Sequence, residues 1–149
     1  NNFLKTMLRM AQERHELQVV ADEFGTPTSA ELVADASSAA LHIALRKPSL
    51  CGLYHLSAAG HTNWHEYAHF IVETARRYGA HLRVPNPQAI HAISSSDLQA
   101  QARRPRNSRL DASKLMNTFH LKMPDWHFGV ERTVRELVEH PHHLNQIVL

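Results

Sequence analysis

Two clusters of side chains have types and spacings that could do chemistry. The first is Arg103-Arg104-Pro105-Arg106-Asn107-Ser108-Arg109-Leu110-Asp111, where four arginines crowd a segment whose proline and asparagine favour a turn. Arginine presents a planar fork of donors that suits carboxylate or phosphate oxygens two at a time. A turn that aims several forks at one point is a candidate anion clamp, and a solvated basic loop accounts for the same residues. The second cluster, His65-Glu66-Tyr67-Ala68-His69, spells H-E-x-x-H. Histidines four apart share a helix face and can both reach zinc, with the glutamate as general base. Read literally, that motif is a zinc peptidase.

Local context weakens the zinc reading. Asn63 and Glu66 stand at capping-box spacing, which puts Glu66 in the first helical turn and His65 at the helix start. Glu73 follows one turn after His69 on the same helix, a poor place for a separate third ligand. Val72 and Ala75 occupy the places where the longer zinc motif has glycine and a third histidine. With 13 histidines in the chain, a chance match is unsurprising. His140-Pro141-His142-His143 reads in the same spirit, as a tail that binds nickel or zinc adventitiously.

The bulk properties bound the remaining options. A chain of 149 residues suits one domain that buries roughly two-thirds of its unfolded surface. A formal charge of +2 is too small to argue for nucleic acid or a membrane surface. Cys51 is the single cysteine, so no disulfide forms within the chain; a reducing compartment, the cytoplasm, is expected. No apolar run approaches the roughly 20 residues of a membrane span. The sequence opens Asn1-Asn2-Phe3 directly into a helical pattern with no initiator methionine, and a piece of a longer protein is expected.

These residues must be positioned by a modest set of elements. Leu4, Met7, Leu8 and Ala11 predict a first helix, and Leu17 to Ala21 a short β-branched strand. Asp22 to Thr28 reads as a structured loop. A helix from about Ala30 to Arg46 follows, expected to bury Leu32, Val33, Ala36, Ala40 and Ile43, with Thr28 and Glu31 as its capping box and Pro48 marking its end. Gly52 to Ala58 predicts a second strand, and Trp64 to Tyr78 a helix stopped by Gly79. Leu82 to Val84 and Ala89 to Ile93 read as short strands broken by Pro85 and Pro87. Ser94 to Arg109 reads as loop; Asp111 caps a helix through Phe119, and Pro124-Asp125 opens a last one through Glu139. Alternating strands and helices imply an α/β class, with too few strands for a complete sheet. No Gly-x-Gly-x-x-Gly turn for a dinucleotide occurs.

Several ordered segments resemble one family. Asp22-Glu23-Phe24-Gly25-Thr26-Pro27-Thr28-Ser29-Ala30-Glu31-Leu32 is similar to a segment of the dTDP-4-dehydrorhamnose reductases. So are Asn1-Asn2-Phe3-x-Lys5-Thr6-Met7-Leu8-Arg9, Gly52-Leu53-Tyr54-His55-Leu56 and Gly60-x-Thr62-x-Trp64-x-x-Tyr67-Ala68. Arg104-Pro105-x-Asn107-Ser108-Arg109-Leu110, Ser113-Lys114 and Pro124-x-Trp126-x-x-Gly129-Val130 follow in order, so the resemblance runs roughly from residue 1 to residue 138.

The resemblance implies a Rossmann-type extended short-chain dehydrogenase. Such enzymes reduce the 4-keto group of dTDP-4-dehydro-L-rhamnose to dTDP-L-rhamnose with NADPH or NADH. In that family a glycine-rich turn and a Tyr-x-x-x-Lys pair lie in the first half. Here the positions four after Tyr54, Tyr67 and Tyr78 hold Ala58, Ile71 and Leu82. Residues 1–149 are therefore expected to be the C-terminal, substrate-binding part, inactive alone. The resemblance places Arg104 on the nucleotide diphosphate, with Asn107 and Ser108 holding the loop or donating to the same oxygens. Asn2 and Phe3 would border the sugar-nucleotide pocket, and Phe24, Gly25, Pro27 and Thr28 would form another wall. Their structural alternatives are a helix cap, a packing anchor and loop-shaping residues. Glu31 matches a glutamate that some members use for Mg2+ at a homodimer interface. Glu23 stands where the family usually has glutamine; facing the diphosphate it would repel, facing solvent it would change nothing. A noncatalytic sugar-nucleotide-binding or regulatory module of the same fold is the alternative reading.

Overall fold

The computed structural model describes residues 2–97 and 104–140. Arg103 of the basic run, Asn1 and the histidines at 142 and 143 lie outside the described residues. Helix α1 (Phe3–Glu13) starts at Asn2, whose side chain accepts the Lys5 amide at 2.9 Å, and it buries Leu4, Met7, Leu8 and Ala11 as their spacing requires. Strand β1 (Leu17–Val20) pairs in parallel with the strand Ile90–Ile93, in the register Leu17↔Ile90 to Val20↔Ile93. Between them in sequence come β2 (Phe24–Gly25), α2 (Ala30–Arg46), β3 (Thr62–Asn63) and α3 (Trp64–Arg77). The partner of β1 is therefore β4, and α4 (Ser113–Phe119) and α5 (Trp126–Glu139) follow it among the described residues. β2 and β3 form a second, antiparallel pair, Phe24↔Asn63 and Gly25↔Thr62.

The main core lies where α1, α3 and α5 meet the β1–β4 pair. Leu8, Leu17, Ile71, Val72, Val84 and Val134 are the largest of its fully buried apolar side chains. Each such aliphatic burial contributes about 1.5–3 kcal/mol. α3 ends as its sequence requires: Gly79 has φ +85°, its amide bonds Arg76 O at 3.0 Å, and the Ala80 amide bonds Ala75 O at 2.9 Å. That is a Schellman cap, which needs a left-handed residue after the helix.

Three local expectations are corrected. Gly52 to Ala58 is not a strand: Leu53 is 81% exposed, while Tyr54 and Leu56 pack beside Phe119 in a second, smaller cluster, and the segment has no partner strand among the described residues. Only Ala59 makes a bridge, to Asp125. Leu82 to Val84 is also irregular, because the amides of Arg83 and Val84 both go to the free carbonyl of Ala11 at the end of α1. α2 buries Ala36 alone; Leu32, Ala40 and Ile43 are half-buried and Val33 is 42% exposed. It rests on the small cluster with Leu115, Phe119 and Met123 and has no sheet beneath it among the described residues.

The caps shift by one residue in two places. Ser29, not Thr28, caps α2 and accepts the Leu32 amide at 3.2 Å. α4 begins at Ser113, whose amide Asp111 accepts at 2.8 Å. No helix among the described residues is long and apolar enough to cross a membrane.

Candidate functional site

The tops of β2 and β3, the start of α1 and the first turns of α2 and α3 enclose a half-open cavity of about 610 Å³. One wall is aromatic. Phe3 lies 4.6 Å from the Trp64 ring and stacks on Tyr67 at 5.2 Å. The indole N–H of Trp64 donates to Glu23 at 3.2 Å. Burial pushes the Tyr67 hydroxyl up to about 12, so it holds its proton far above neutrality.

The opposite wall is the loop Gly25 to Ser29. Thr26 donates to Gly60 O at 3.1 Å, and Thr28 donates to Thr26 O while accepting the Ala58 amide at 3.2 Å. The backbone approaches closely at Gly25: a Cβ there would stand 2.9 Å from the Ser108 hydroxyl, which would have to turn from its bond to Phe24 O. Ser108 closes the rim, donating through both its amide and its hydroxyl to Phe24 O at 2.9 Å.

Of the residues singled out in the sequence, Asn2, Phe3, Gly25, Pro27, Thr28, Glu31 and Ser108 line this cavity. Phe24, Asn107 and Arg104 do not: Phe24 and Asn107 are bridged to each other beside Ser108, with the Phe24 amide bound to Arg106 O at 2.8 Å, and Arg104 lies two residues before that contact. Arg104 is exposed. Gly129, Val130 and Thr133 of α5 also line the cavity, as do Thr62, Asn63, Trp64 and Tyr67. The segment Gly60-x-Thr62-x-Trp64-x-x-Tyr67 was the available signal for them; an aromatic stripe at helical spacing reads first as core.

The turn itself is held from two sides. Asp22 accepts the Ser95 amide at 2.7 Å and the hydroxyls of Ser95 and Ser94 at 2.9 and 3.3 Å. The Ser95 amide is the main reason its carboxyl sits below the usual value, and the two hydroxyls add to this. Arg106 stands 3.9 Å from the same carboxylate. Asn107 accepts from both the backbone and the side chain of Arg109.

The dinucleotide expected on the other half of such an enzyme has no cradle in these residues, and magnesium finds no site among the described ones. The five glycines are 25, 52, 60, 79 and 129, no two closer than Gly52 and Gly60, so the chain has no glycine-rich cradle for NADPH or NADH. Glu31 is paired with Arg132 at 3.2 Å. Its carboxyl is lowered first by its own backbone amide, then by Ser29 and Arg132. No group of three or more His, Cys, Asp or Glu that could hold a metal ion occurs among the described residues. The H-E-x-x-H motif dissolves in the same way. The Nε2 atoms of His65 and His69 lie 3.2 Å apart, with Ile90 O 2.9 Å from His65, and no third protein ligand joins them among the described residues. Glu66 is a cap residue, its amide on Asn63 Oδ1 at 2.8 Å and its carboxylate beside the Thr62 hydroxyl.

A parallel strand pair under three helices, a second small sheet and a rim loop on its edge together make the C-terminal part of an extended short-chain dehydrogenase/reductase fold. Residues 1–139 match the model of the RmlD substrate binding domain. The dTDP-4-dehydrorhamnose reductase of Shigella flexneri is 48% identical over 137 residues, covering 92% of this chain and 45% of its own length. The crystal structure of dTDP-4-dehydrorhamnose reductase from Bacillus anthracis in complex with NADP is 36% identical. It superposes with a TM-score of 0.71 over 91% of this chain and 43% of that one. The Clostridium acetobutylicum orthologue, 24% identical with a TM-score of 0.74 over 92% of this chain and 44% of that one, supports the fold. The chain belongs to the RmlD substrate binding domain family. It spans less than half the length of the curated relatives named above.

Proposed function

We propose that this chain is the sugar-nucleotide-binding part of a dTDP-4-dehydrorhamnose reductase, residues 1–149 standing as its C-terminal substrate-binding unit. The observation that carries the reading is the cavity itself. Its wall is aromatic on one side and hydroxyl- and amide-bearing on the other, and among the described residues Glu31 is the only charged one that lines it. Such a lining suits a neutral sugar or base better than a diphosphate. Arg132 is paired with Glu31, whereas the exposed Arg104, Arg106 and Arg109 flank the lining residue Ser108, where the charged middle of a sugar nucleotide would leave the cavity.

In this reading Asn2, Phe3, Gly25, Pro27, Thr28 and Ser108 wall the neutral group, Phe24 and Asn107 hold the rim, and Arg104 meets the diphosphate. The chain's own contribution is to bind, orient and exclude water. NADPH or NADH would supply the hydride from the other half of the enzyme, and that half would also carry the proton donor. A cytoplasmic location and a homodimer belong to the same proposal. Magnesium at Glu31 does not: the carboxylate pairs with Arg132, and it belongs to no group of three or more His, Cys, Asp or Glu that could hold a metal ion among the described residues.

The test is an NMR titration of the chain with dTDP-L-rhamnose. Saturable shifts at the Trp64 indole N–H and the Thr28 and Thr62 amides are expected. Shifts confined to residues away from the cavity would overturn the assignment.

A further inference from the structure

The arginines of the basic turn are not equivalent, and their partners separate them. Arg106 has its backbone carbonyl docked on the Phe24 amide, and its guanidinium faces Asp22 at 3.9 Å. That carboxylate is fixed by three donors from Ser94 and Ser95, so Arg106 looks onto a negative charge that cannot turn away. A ligand anion approaching Arg106 would meet the same charge.

Arg109 is held in another way. The Asn107 side-chain oxygen accepts the Arg109 amide at 3.2 Å and the Arg109 Nε–H at 2.9 Å. Asn107 is itself located by its bridge to Phe24. A guanidinium carries five N–H donors, and fixing Nε leaves the four on its Nη atoms aimed as a fork. Because a neutral amide does the fixing, the positive charge of Arg109 is not cancelled. No carboxylate lies in ion-pair range of it among the described residues. A fork held in place before binding loses less rotamer entropy when an anion arrives.

We propose that Arg109 is a further anion-binding residue of the rim, taking a phosphate of a nucleoside diphosphate, and that Asn107 is its positioning residue. This rests on the reading of the chain as a sugar-nucleotide binder, and it deepens that reading by assigning the charged end of the ligand to Arg109 as well as Arg104. Arg106 becomes a structural arginine that ties the turn to Asp22.

The experiment is calorimetric titration of the full chain with dTDP, comparing Arg109→Ala, Asn107→Ala, their double variant, Arg109→Lys and Arg106→Ala. Arg109→Ala and Asn107→Ala should each weaken binding about tenfold, the scale of one lost charge-assisted contact. The double variant should be no weaker than Arg109→Ala, because Asn107 acts through Arg109. Arg109→Lys should fail to restore affinity, and Arg106→Ala should stay within about twofold of the parent. Asn107 and Arg109 are exposed, so thermal unfolding of all variants should match the parent and separate affinity from folding. Wild-type affinity in Arg109→Ala, equal losses in Arg106→Ala and Arg109→Ala, or additive losses in the double variant would each overturn the proposal. A parent chain that melts cooperatively yet takes no dTDP would instead refute the sugar-nucleotide reading beneath it.

Discussion

Trp64 donates its indole N–H to the Glu23 carboxylate at 3.2 Å, across 41 residues of sequence. Glu23 is not among the residues that line the cavity; its carboxylate is tied to the ring that forms the aromatic wall. The job needs an oxygen acceptor and not a charge. Glu23→Gln should leave ligand affinity within about twofold and the fluorescence of Trp64 unchanged. Glu23→Ala strips a half-buried donor of its partner and should cost about 1 kcal/mol of stability with a shift in tryptophan emission. Equal behaviour of the two variants would contradict this role.

Gly60 and Gly79 both have positive φ, at +79° and +85°, yet their surroundings differ. A Cβ at Gly60 would stand 2.7 Å from Asp125 Oδ2 and 3.1 Å from Trp126, whereas nothing lies within 4 Å of one at Gly79. Gly79→Ala should cost about 1 kcal/mol, the left-handed penalty alone. Gly60→Ala adds displacement of the Asp125 cap of α5 and should cost clearly more, about 2–3 kcal/mol. Chemical denaturation of the two variants orders them.

Acid should loosen the turn before the core. The Asp22 carboxyl is lowered by the Ser95 amide first and then by the Ser95 and Ser94 hydroxyls. A lowered carboxylate pKa contributes stability above its unfolded value, about 4, and loses it as pH falls through the lower folded value. The melting temperature should therefore drop as pH is taken below about 4. Asp22→Asn should start lower at neutral pH and show a shallower acid decline. A decline of unchanged steepness would assign the acid sensitivity elsewhere.

Ser29 and Thr28 can be told apart by what they hold. Ser29→Ala removes the N-cap of a 17-residue helix and should cost about 1 kcal/mol, with a loss of helical signal on heating. Thr28→Ser keeps the hydroxyl that bridges Thr26 and Ala58 and should leave stability nearly unchanged. A larger loss in Thr28→Ser than in Ser29→Ala would reverse the capping assignment.

Much of this architecture was legible because local chemistry and burial agree. Asn2, Asn63 and Asp125 cap the helices whose apolar stripes follow them, and Gly79 ends α3 through a geometry that only its φ permits. What failed to read depended on distant partners. Gly52 to Ala58 has strand composition, but no edge among the described residues receives it, and composition carries no trace of that. α2 reads as a core helix because it is rich in Leu, Val and Ala, while Leu41 and Leu45 stay 60% and 73% exposed. The site was half visible. Asn2, Gly25 and Thr28 could be named from ordered motifs, but Glu23 with Trp64 and Asn107 with Arg109 are pairings set by three-dimensional approach and side-chain direction.

The most direct test of the central claim is a calorimetric titration of this chain with dTDP-L-rhamnose, repeated on Arg104→Ala. Saturable binding that weakens at least about tenfold in the variant is expected for a sugar-nucleotide site with its diphosphate on the rim arginine. A cooperatively folded chain that binds no dTDP-L-rhamnose, or binds it equally well without Arg104, would contradict the account.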